Sequence, residues 1–568
     1  MGNEDRLSPR RNTVAYARGD PLAPMELQAF LFDQLWARNV RQVFGIPGDY
    51  ALNLYEAFER DGRFQLVRLS HEPSVGFAAD GCARMTGGLG VCCVTYGAGG
   101  LNMVNPVACA YAEESPLVVL SGGPGTGERR AGIQVHHEVK SFESQLKVYE
   151  EVTEYAAILD NPETAAASIV RALDTAAAGK RPVYLEIPRD MVFAAVTPPA
   201  ERAPWAAQSD EGAVEEGVAE IAGRLRRAVR PVLIVGVEVH RFDLREPVIR
   251  LAEALGAPVA SSFLGRGVFP TRHPQFANTY LGLASPRPLR QVVEDSDCVL
   301  LLGERISDTS LGVSAHCLSE RNLLICLAND VFVGHHRYER TPLERVVTRL
   351  TGEIRRTTPP RPLSAPIAAA TPNPVADADA PITVAGVIDV LNEFADAHPD
   401  VPLVADTGDA LFASVDIRLN ECVAPAYYAT MGFAVPAALG MQIATRRRPV
   451  VLVGDGAFQM TGPEIAHAAE YLCNPVVVLL NNARWEMLQA FFPEAHYNDT
   501  VEWPFARLAE LWGGRGFNAR TPGQLRDALG AAFEEKRFTL IEVPLAKGDI
   551  SPILRGFVQA FKKRVYVS

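Results

Sequence analysis

The sequence lacks the patterns that mark disulfide-rich, zinc-binding and membrane-spanning proteins. Its nine cysteines include no C-x-x-C pair, so we expect neither a zinc site nor a disulfide framework. No apolar run approaches the roughly 18 residues that a spanning helix needs. The N-terminal segment MGNEDRLSPRRNTVAYARGD has no apolar core, which a secretory signal requires. These absences favour a reducing compartment, and the cytoplasm is the expected location, without a membrane partner.

The chain also lacks an excess of basic residues and a dinucleotide fingerprint. Lys and Arg total 55 against 67 Asp and Glu, a net charge of −12. That balance disfavours nucleic acid as a partner of the whole chain, although a local basic patch stays possible. The strand RPVLIVGV is followed by EVHRFD rather than by G-x-G-x-x-G, so a dinucleotide site has no support there.

Apolar strand-like runs alternate with helical patterns in three segments. A chain of 568 residues is too long for one core, and the alternation predicts an α/β fold of three doubly wound parallel-sheet domains. We place them at residues 24–195, 213–350 and 382–547, with a short amphipathic tail at 548–568. The Pro- and Ala-rich stretches TPPAERAPWAAQSDEGA and TTPPRPLSAPIAAATPNPVADADAP are predicted to be the linkers.

The most informative motif lies in the third segment. One apolar run ends at Gly454-Asp455-Gly456, and a second, after 24 intervening residues, ends at Asn481-Asn482. Strand, helix and adjacent parallel strand place Asp455 and Asn482 at one carboxyl edge of a sheet, where open α/β folds bind ligands. We expect the helix between them to begin at an N-cap, Thr461. Glycines admit a phosphate, and carboxylate and amide oxygens suit Mg²⁺.

With this spacing the sequence resembles the thiamine-diphosphate enzymes, whose cofactor motif is GDG, a couple of dozen residues, then NN. The resemblance implies thiamine diphosphate and Mg²⁺ as cofactors. It implies metal binding by the side chains of Asp455 and Asn482 and by the carbonyl of Arg484. Further cofactor contacts are expected from the residues around these ligands, namely Gly454, Gly456, Ala457 and Trp485.

Glu72, in LVRLSHEPSVGFAADG, matches the glutamate that hydrogen-bonds the cofactor's pyrimidine ring in the family. Alone it would be an ordinary acid in the first turn of a helix. Because the chain also contains the GDG–NN motif, the resemblance implies that Glu72 activates the cofactor.

Two more stretches match cofactor contacts of the family. In YYATMGFAVPAALG, Met431 matches the bulky apolar residue that holds the cofactor bent, and the Ala429 carbonyl would accept a hydrogen bond from its amino group. Met431 is equally compatible with plain core packing. Thr407 and Asp409, in ADTGDALF, match a cofactor-contacting turn.

The resemblance points to the 2-oxo acid decarboxylases within the family. That branch carries an acid and an adjacent histidine pair in the first domain, here Asp49 in GIPGDYAL and His136-His137 in GIQVHHEVKSF. Taken alone, two histidines in a polar loop are more often solvated surface. As candidate catalytic residues their ordinary pKa suits proton transfer near neutral pH.

One departure concerns the active-site acid. Pyruvate decarboxylases have a glutamate six residues after the second asparagine, where this chain has Leu488. The string NNARWEMLQAFFPE resembles bacterial phenylpyruvate and indolepyruvate decarboxylases, in which a later glutamate, here Glu494, takes over. This resemblance implies a larger and more apolar substrate pocket than in pyruvate decarboxylases, lined by Met487, Leu488 and Phe491. The expected substrate is therefore an aryl-substituted 2-oxo acid. The alternative, that these residues only pack the helix, stays open.

Two other functions are compatible with the sequence. A carboligase of the acetolactate synthase type would use the same cofactor, but such enzymes generally lack the histidine pair. A non-catalytic binding homologue would need a broken cofactor site, yet Glu72, Asp455 and Asn482 are all present. The resemblance also implies a homodimer or homotetramer with active sites at the subunit interface.

Overall fold

The computed structural model describes residues 23–199, 209–308, 318–357 and 377–565. The central parts of both predicted linkers and the start of the chain lie outside these ranges. Strands and helices alternate in three successive units, as the periodicity predicts. Among the described helices, none is long and apolar enough to cross a membrane.

The first unit is a six-stranded, wholly parallel sheet in the order β3-β2-β4-β5-β7-β6, beside a short antiparallel β1–β8 pair. The central strand β4 is buried along its whole length, because helices cover both faces of the sheet. The strands are β1 Met25–Glu26, β2 Gln42–Gly45, β3 Gln65–Arg68, β4 Gly90–Val94, β5 Leu117–Gly123, β6 Tyr155–Ile158, β7 Val183–Pro188 and β8 Ala195–Val196. The helices are α1 Leu27–Ala37, α2 Leu52–Asp61, α3 Glu72–Thr86, α4 Ala98–Asn102, α5 Val104–Ala112, α6 Thr126–Ala131, α7 Ser144–Glu150 and α8 Pro162–Gly179.

The second unit has a seven-stranded sheet in the order β11-β10-β9-β12-β13-β14-β15. Its first five strands in this order are parallel, but β14 and β15 form an antiparallel hairpin at the edge. The strands are β9 Pro231–Val235, β10 Val259–Ser261, β11 Phe276–Thr279, β12 Cys298–Leu302, β13 Leu323–Cys326, β14 Asp330–Val333 and β15 His336–Glu339. The helices are α9 Glu211–Arg227, α10 Val237–Arg241, α11 Arg245–Leu255, α12 Arg287–Glu294 and α13 Leu343–Thr357.

The third unit repeats the topology of the first, with six parallel strands in the order β17-β16-β18-β19-β21-β20. The strands are β16 Leu403–Ala405, β17 Cys422–Val423, β18 Val450–Gly454, β19 Val476–Asn481, β20 Arg515–Asn518 and β21 Thr539–Pro544. The helices are α14 Val384–Ala397, α15 Asp409–Ser414, α16 Ala434–Thr445, α17 Asp455–Thr461, α18 Glu486–Phe491, α19 Phe505–Leu511, α20 Pro522–Glu534 and, in the tail, α21 Pro552–Val565.

The expected helix start at Thr461 is only partly confirmed, because a helix does follow Thr461 but it is a 3₁₀ helix without a side-chain cap. Helix α17 begins at Asp455, after Gly454 in an extended conformation, and Thr461 is its last residue. The chain then continues as the 3₁₀ helix Gly462–Ala468. The hydroxyl of Thr461 donates to the Gly432 carbonyl at 2.6 Å instead of capping a following helix. The tight strand-to-helix turn therefore places Asp455 itself in the first helical turn.

The first and third units share one core, in which α3 and α16 cross at very close range. A Cβ atom on Gly81 would lie 2.2 Å from the Ala437 carbonyl oxygen, and one on Gly440 would lie 1.9 Å from that of Ala78. Only glycine allows this approach of the two backbones. The pairing is reciprocal, because each helix contributes one glycine that faces the backbone of the other.

A buried ion cluster also joins the first and third units. Arg84, on α3, lies 2.7 Å from both Asp80 and Glu113, and all three side chains are almost fully buried. Its guanidinium also donates to the Ala424 carbonyl of the third unit at 3.1 Å. The other carboxylate oxygen of Glu113 accepts from the backbone N–H groups of Tyr427 and Tyr428. This cluster therefore fixes the segment that leads into the candidate site described below.

Candidate active site

The GDG and NN loops meet at the carboxyl edge of the third sheet. Strands β18 and β19 are parallel neighbours in which Gly454 pairs with Leu480, so Asp455 and Asn482 leave the sheet side by side. The Asp455 carboxylate accepts from the Thr500 hydroxyl at 3.1 Å, and the Thr500 N–H donates to the Ala483 carbonyl of the NN loop at 3.0 Å. The two loops are thus joined through Thr500.

The NN loop has a constrained backbone. Ala483 adopts a left-handed conformation with φ 56°, which is rare for a residue with a Cβ and is concentrated at functional sites. The Asn482 side-chain oxygen accepts from the Arg484 N–H at 3.3 Å. The Arg484 guanidinium pairs with Asp499 at 2.8 Å. These contacts hold the NN loop in one conformation. The Arg484 carbonyl belongs to this rigid turn, so its position is fixed as well.

The space around this edge fits a metal-bound diphosphate. A Cβ atom on Gly454 would meet nothing within 4 Å, whereas one on Gly456 would lie 2.3 Å from the Trp485 ring. Asp455 is 3% exposed, and burial raises its pKa to about 6. Within the described ranges no cationic side chain forms an ion pair with it. A buried carboxylate and an amide oxygen beside open space form a donor set suited to a hard divalent cation.

The turn that contains Thr407 and the segment that contains Met431 are held together by Asp406, a residue that sequence reasoning missed. The Asp406 carboxylate accepts from the N–H groups of Thr407, Gly432 and Ala434 at 2.7–2.9 Å, and burial raises its pKa to about 6. The Thr407 hydroxyl donates to the Thr430 carbonyl at 2.9 Å. The sequence signal was weak, because an acid beside Thr407 is an ordinary turn residue.

Ala429 and Met431 flank this organised turn. Ala429 is exposed and has φ 59°, a second left-handed residue that is not glycine. Met431 is half-buried and packs against the core shared by the first and third units. The structure therefore keeps both alternatives for Met431 open, since a wedge is also a packed residue.

The carboxylate of Asp409 is hydrogen-bonded to the C-terminal tail. Its carboxylate accepts from both the N–H and the hydroxyl of Ser551, and Ser551 also accepts from the Leu554 N–H at the start of α21. Burial raises the pKa of Asp409 to about 6. Its side chain thus anchors the C-terminal helix beside the turn that contains Thr407.

Glu72 begins α3 in the first unit and is half-buried. Its carboxylate accepts from Asn102 at 2.8 Å. One turn further along, Asn105 donates to the Thr430 hydroxyl at 3.0 Å, which connects the first unit to the segment before Met431. Among the described contacts of this chain, none joins Glu72 to the GDG or NN loop.

Asp49, His136 and His137 form one exposed cluster. The Nε2 atom of His136 bonds an Asp49 carboxylate oxygen, and that of His137 lies 3.9 Å from the other oxygen. The Tyr50 hydroxyl lies 3.2 Å from His136 Nδ1. Burial alone would raise the pKa of Asp49, but the hydrogen bond and the charge of His136 outweigh it and lower the pKa. The sequence-predicted trio is therefore brought together.

The turn at Gly97 sets the position of His137. Gly97 has φ 66°, and a Cβ atom there would lie 2.3 Å from the His137 carbonyl oxygen. The Gly97 N–H donates to buried Gln145 at 2.7 Å, and Gln145 in turn contacts Tyr184, whose hydroxyl donates to Glu186. Gln145, Tyr184 and Glu186 form a buried chain of hydrogen bonds that sequence reasoning missed. Through Gly97, this chain supports the segment that carries the histidine pair.

The predicted pocket residues lie on α18, directly after the NN loop. Met487 and Phe491 are partly buried, and the Phe491 ring packs against Phe561 of the tail helix at 5.0 Å. Leu488 is 47% exposed. Glu494 is exposed in the turn after α18, and its role stays a prediction.

Comparison with known proteins defines the class of this chain. Family models of the thiamine pyrophosphate enzymes match three parts of it: the N-terminal TPP binding domain at residues 25–148, the central domain at 218–340 and the C-terminal TPP binding domain at 397–543. Indole-3-pyruvate decarboxylase of Azospirillum brasilense is 41% identical over 544 residues, which cover 95% of this chain and 99% of that protein. Pyruvate decarboxylase 1 of Pisum sativum is 28% identical over 536 residues, 90% of this chain and 89% of that protein.

The chain belongs to the family of thiamine-diphosphate-dependent 2-oxo acid decarboxylases. It is therefore a lyase that releases CO₂ from a 2-oxo acid with thiamine diphosphate as its cofactor. The predicted family, fold class, reaction and cofactor are confirmed.

Proposed function

We propose that this enzyme acts on an aryl-substituted 2-oxo acid, such as phenylpyruvate or indolepyruvate, with Mg²⁺ as the companion ion. The observation that carries the proposal is the apolar surface of α18, which follows the NN loop directly. There Leu488 is exposed, with Met487 and Phe491 beside it and the aromatic tail helix behind. The name of the Azospirillum relative, an indole-3-pyruvate decarboxylase, supports the same substrate class.

Asp455, Asn482 and the Arg484 carbonyl are the proposed ligands of Mg²⁺. The ion would neutralise the buried Asp455 carboxylate and hold the diphosphate over the open space at Gly454. Hard oxygen donors from side chain and backbone suit Mg²⁺. The N–H groups of Gly456 and Ala457, in the first turn of α17, supply further donors for phosphate oxygens.

Thiamine diphosphate, when bound, supplies an acidic carbon that becomes a nucleophile and then accepts the electron pair released with CO₂. We assign Glu72 to hold a proton on the pyrimidine ring and so to promote formation of that nucleophile. Asn102 orients the Glu72 carboxylate. We propose that the Ala429 carbonyl and the Met431 side chain would contact the cofactor, with Asp406 holding the turn beside them through Gly432 and Ala434.

The cluster of Asp49, His136 and His137 is assigned to proton transfer after CO₂ leaves. Asp49 keeps a depressed pKa and holds the imidazole of His136 by a hydrogen bond. Histidine is the side chain most often used in general acid–base catalysis. Glu494 is a further proposed acid, and its exposed turn would have to close over the site.

We propose that the active enzyme is a homodimer or homotetramer whose sites lie between subunits. The His136 side chain is 62% exposed, and the residues Trp485 and Leu488 are 40% and 47% exposed. Such exposure is unusual for a decarboxylation site, which must exclude water. Glu72 contacts its own α4 rather than its own GDG loop. Glu72 of a second copy would complete the site.

Complementation tests the shared site. Homo-oligomers of Glu72→Gln and of Asp455→Asn are each expected to be inactive. Mixed subunits would restore about a quarter of wild-type activity, because random pairing leaves one intact site in half of the dimers. Mixtures that stay inactive although subunits exchange would overturn the shared site.

Aldehyde release from phenylpyruvate, indolepyruvate and pyruvate tests the substrate class. We expect kcat/KM for the aryl substrates to exceed that for pyruvate by about a hundredfold, as apolar pockets discriminate by a few kcal/mol. Leu488→Glu should reduce this preference, whereas the control Leu488→Met should keep it. Equal or better use of pyruvate by the wild-type enzyme would contradict the proposal.

The cytoplasm is our proposed location. The support is chemical, because every cysteine in the described part of the chain is a free thiol and most are buried, as suits a reducing compartment. Cell fractionation with an activity assay tests this location.

A further inference from the structure

Two consecutive histidines, His136 and His137, turn towards one carboxylate, that of Asp49. Consecutive side chains of an extended chain point to opposite sides. Here His137 has a left-handed backbone with φ 68°, and the two imidazole rings lie only 4.8 Å apart. Such a conformation is uncommon outside glycine and is concentrated at functional sites. In the part of the chain that the structure describes, no other three His, Cys, Asp or Glu side chains bring their ligand atoms within 4.8 Å of one another.

The spacing of these atoms is close to that of the ligands of a metal ion. Zinc binds imidazole nitrogen and carboxylate oxygen at about 2.0–2.2 Å, so the ligand atoms of a tetrahedral site lie roughly 3.4 Å apart. His137 Nε2 lies 3.9 Å from Asp49 Oδ1, and His136 Nε2 bonds Asp49 Oδ2 directly. The side chains of Asp49, His136 and His137 are 43%, 62% and 30% exposed. Small rotations of these exposed groups are therefore enough to admit an ion in place of the direct bond.

Tyr50 supplies the outer contact that a metal-binding histidine usually has. Its hydroxyl lies 3.2 Å from His136 Nδ1 and donates to the His136 carbonyl at 3.3 Å. The hydroxyl oxygen can thus accept a hydrogen bond from a protonated Nδ1, which is the tautomer that leaves Nε2 for a metal. Tyr50 is buried, so this contact has a fixed position.

The chemistry of the donors selects the kind of ion. Mg²⁺ prefers oxygen ligands and retains several waters, which suits the loops at Asp455 and Asn482. Imidazole nitrogen favours Zn²⁺ and similar transition-metal ions instead. Three protein ligands beside a solvent-exposed position are also the usual pattern of a zinc site that keeps one position open.

We propose that Asp49, His136 and His137 bind one Zn²⁺ ion, at a site separate from that of the Mg²⁺ that accompanies the cofactor. The Nε2 atoms of both histidines and one carboxylate oxygen coordinate the ion, and water completes its coordination. The bound ion occupies the nitrogen lone pairs that proton transfer needs, so Zn²⁺ inhibits the enzyme. The inhibition rests on the proposed function, whereas the binding does not.

Isothermal titration with Zn²⁺ tests the site on untagged enzyme that is saturated with thiamine diphosphate and excess Mg²⁺, so that the cofactor site is filled. We expect one Zn²⁺ per chain that the excess Mg²⁺ does not displace. His136→Ala and Asp49→Asn should each weaken this binding by at least about tenfold, because losing even an outer partner of a metal ligand typically costs roughly 10–100-fold. Both positions are exposed, and thermal unfolding checks that the variants are folded.

The second unit offers a matched control in another adjacent pair, His335 and His336. His336 lies 2.9 Å from Glu220, but no third ligand completes a cluster among the described residues. His336→Ala should therefore keep the tightly bound ion. Aldehyde release by the wild-type enzyme should fall as the site fills and recover when a chelator removes Zn²⁺.

Three results would overturn the site: no Zn²⁺ binding by the wild-type enzyme in excess Mg²⁺, unchanged affinity in His136→Ala and Asp49→Asn, or loss of the ion in His336→Ala. Stoichiometric binding without slower aldehyde release would support the metal site. That result would contradict instead the proton transfer assigned to the cluster.

Discussion

Adding one methyl group at Gly456 should disturb the GDG loop, because the new methyl group would collide with Trp485. The Cβ atom of Gly456→Ala would lie 2.3 Å from Trp485 Cδ1, far inside a normal carbon–carbon contact. Overpacking of this kind costs about 1–3 kcal/mol, and the gain from replacing glycine inside a helix offsets about 0.5–1 kcal/mol. We therefore expect a net destabilisation of about 1–2 kcal/mol, with weaker cofactor binding because the Trp485 ring must move.

Two other alanine substitutions provide matched controls. Gly454→Ala adds a methyl group that meets no protein atom within 4 Å, so it should leave the apoprotein unchanged but weaken the cofactor, whose diphosphate we place in that space. Gly530→Ala, on the exposed face of α20, should raise stability by up to about 1 kcal/mol.

Thermal unfolding of the apoprotein and titration with thiamine diphosphate and Mg²⁺ separate these effects. A loss of 1–2 kcal/mol in a domain of this size corresponds to a fall of roughly 2–8 °C in the midpoint. An unchanged midpoint for Gly456→Ala would refute the steric reasoning. Normal cofactor affinity in Gly454→Ala would show that the open space is not the diphosphate site.

Three further outcomes follow from buried groups. Arg84→Ala leaves two buried carboxylates uncompensated and should destabilise the protein by about 3–5 kcal/mol, measured as a large fall in the unfolding midpoint; an unchanged midpoint would contradict this. Burial raises the pKa of Glu186 to about 7 from 4.5, so the folded state keeps a proton that the unfolded chain releases, and stability falls as pH rises through that window. Glu186→Gln should lack this fall in a series of melting curves, and parallel curves would refute the assignment. Ser551→Ala removes the cap of α21 and a partner of Asp409, so hydrogen exchange in the tail helix should accelerate in line with a loss of about 0.5–2 kcal/mol; unchanged protection would contradict the anchoring of α21 by Asp409 and Ser551.

Local sequence signals predicted much of the third unit. The apolar runs that end at Gly454 and Asn481 are adjacent parallel strands, because buried parallel strands read as continuous apolar segments. The histidine pair and Asp49 also meet as expected. The strand signal lies within a short stretch of sequence, whereas the meeting of Asp49 with His136, 87 residues away, was expected only from the family resemblance.

Features that depend on distant partners were not accessible from the sequence. The partner of Asp409 is Ser551, 142 residues away, and no local pattern pairs them. The hairpin at the edge of the middle sheet was missed because HRYE is short, polar and exposed on one edge. The helix start at Asp455 differed from the expected Thr461 because the strand turns directly into the helix, and the Thr461 hydroxyl bonds Gly432 instead.

The proposed function depends on Glu72, an acid of the first unit, activating a cofactor held by the third. Single-turnover aldehyde formation from phenylpyruvate by Glu72→Gln, loaded with thiamine diphosphate and Mg²⁺, tests it most directly. We expect normal cofactor loading and a rate reduced by at least about a hundredfold, the typical contribution of a positioned acid–base group. A loaded variant that forms aldehyde at the wild-type rate would contradict this role of Glu72.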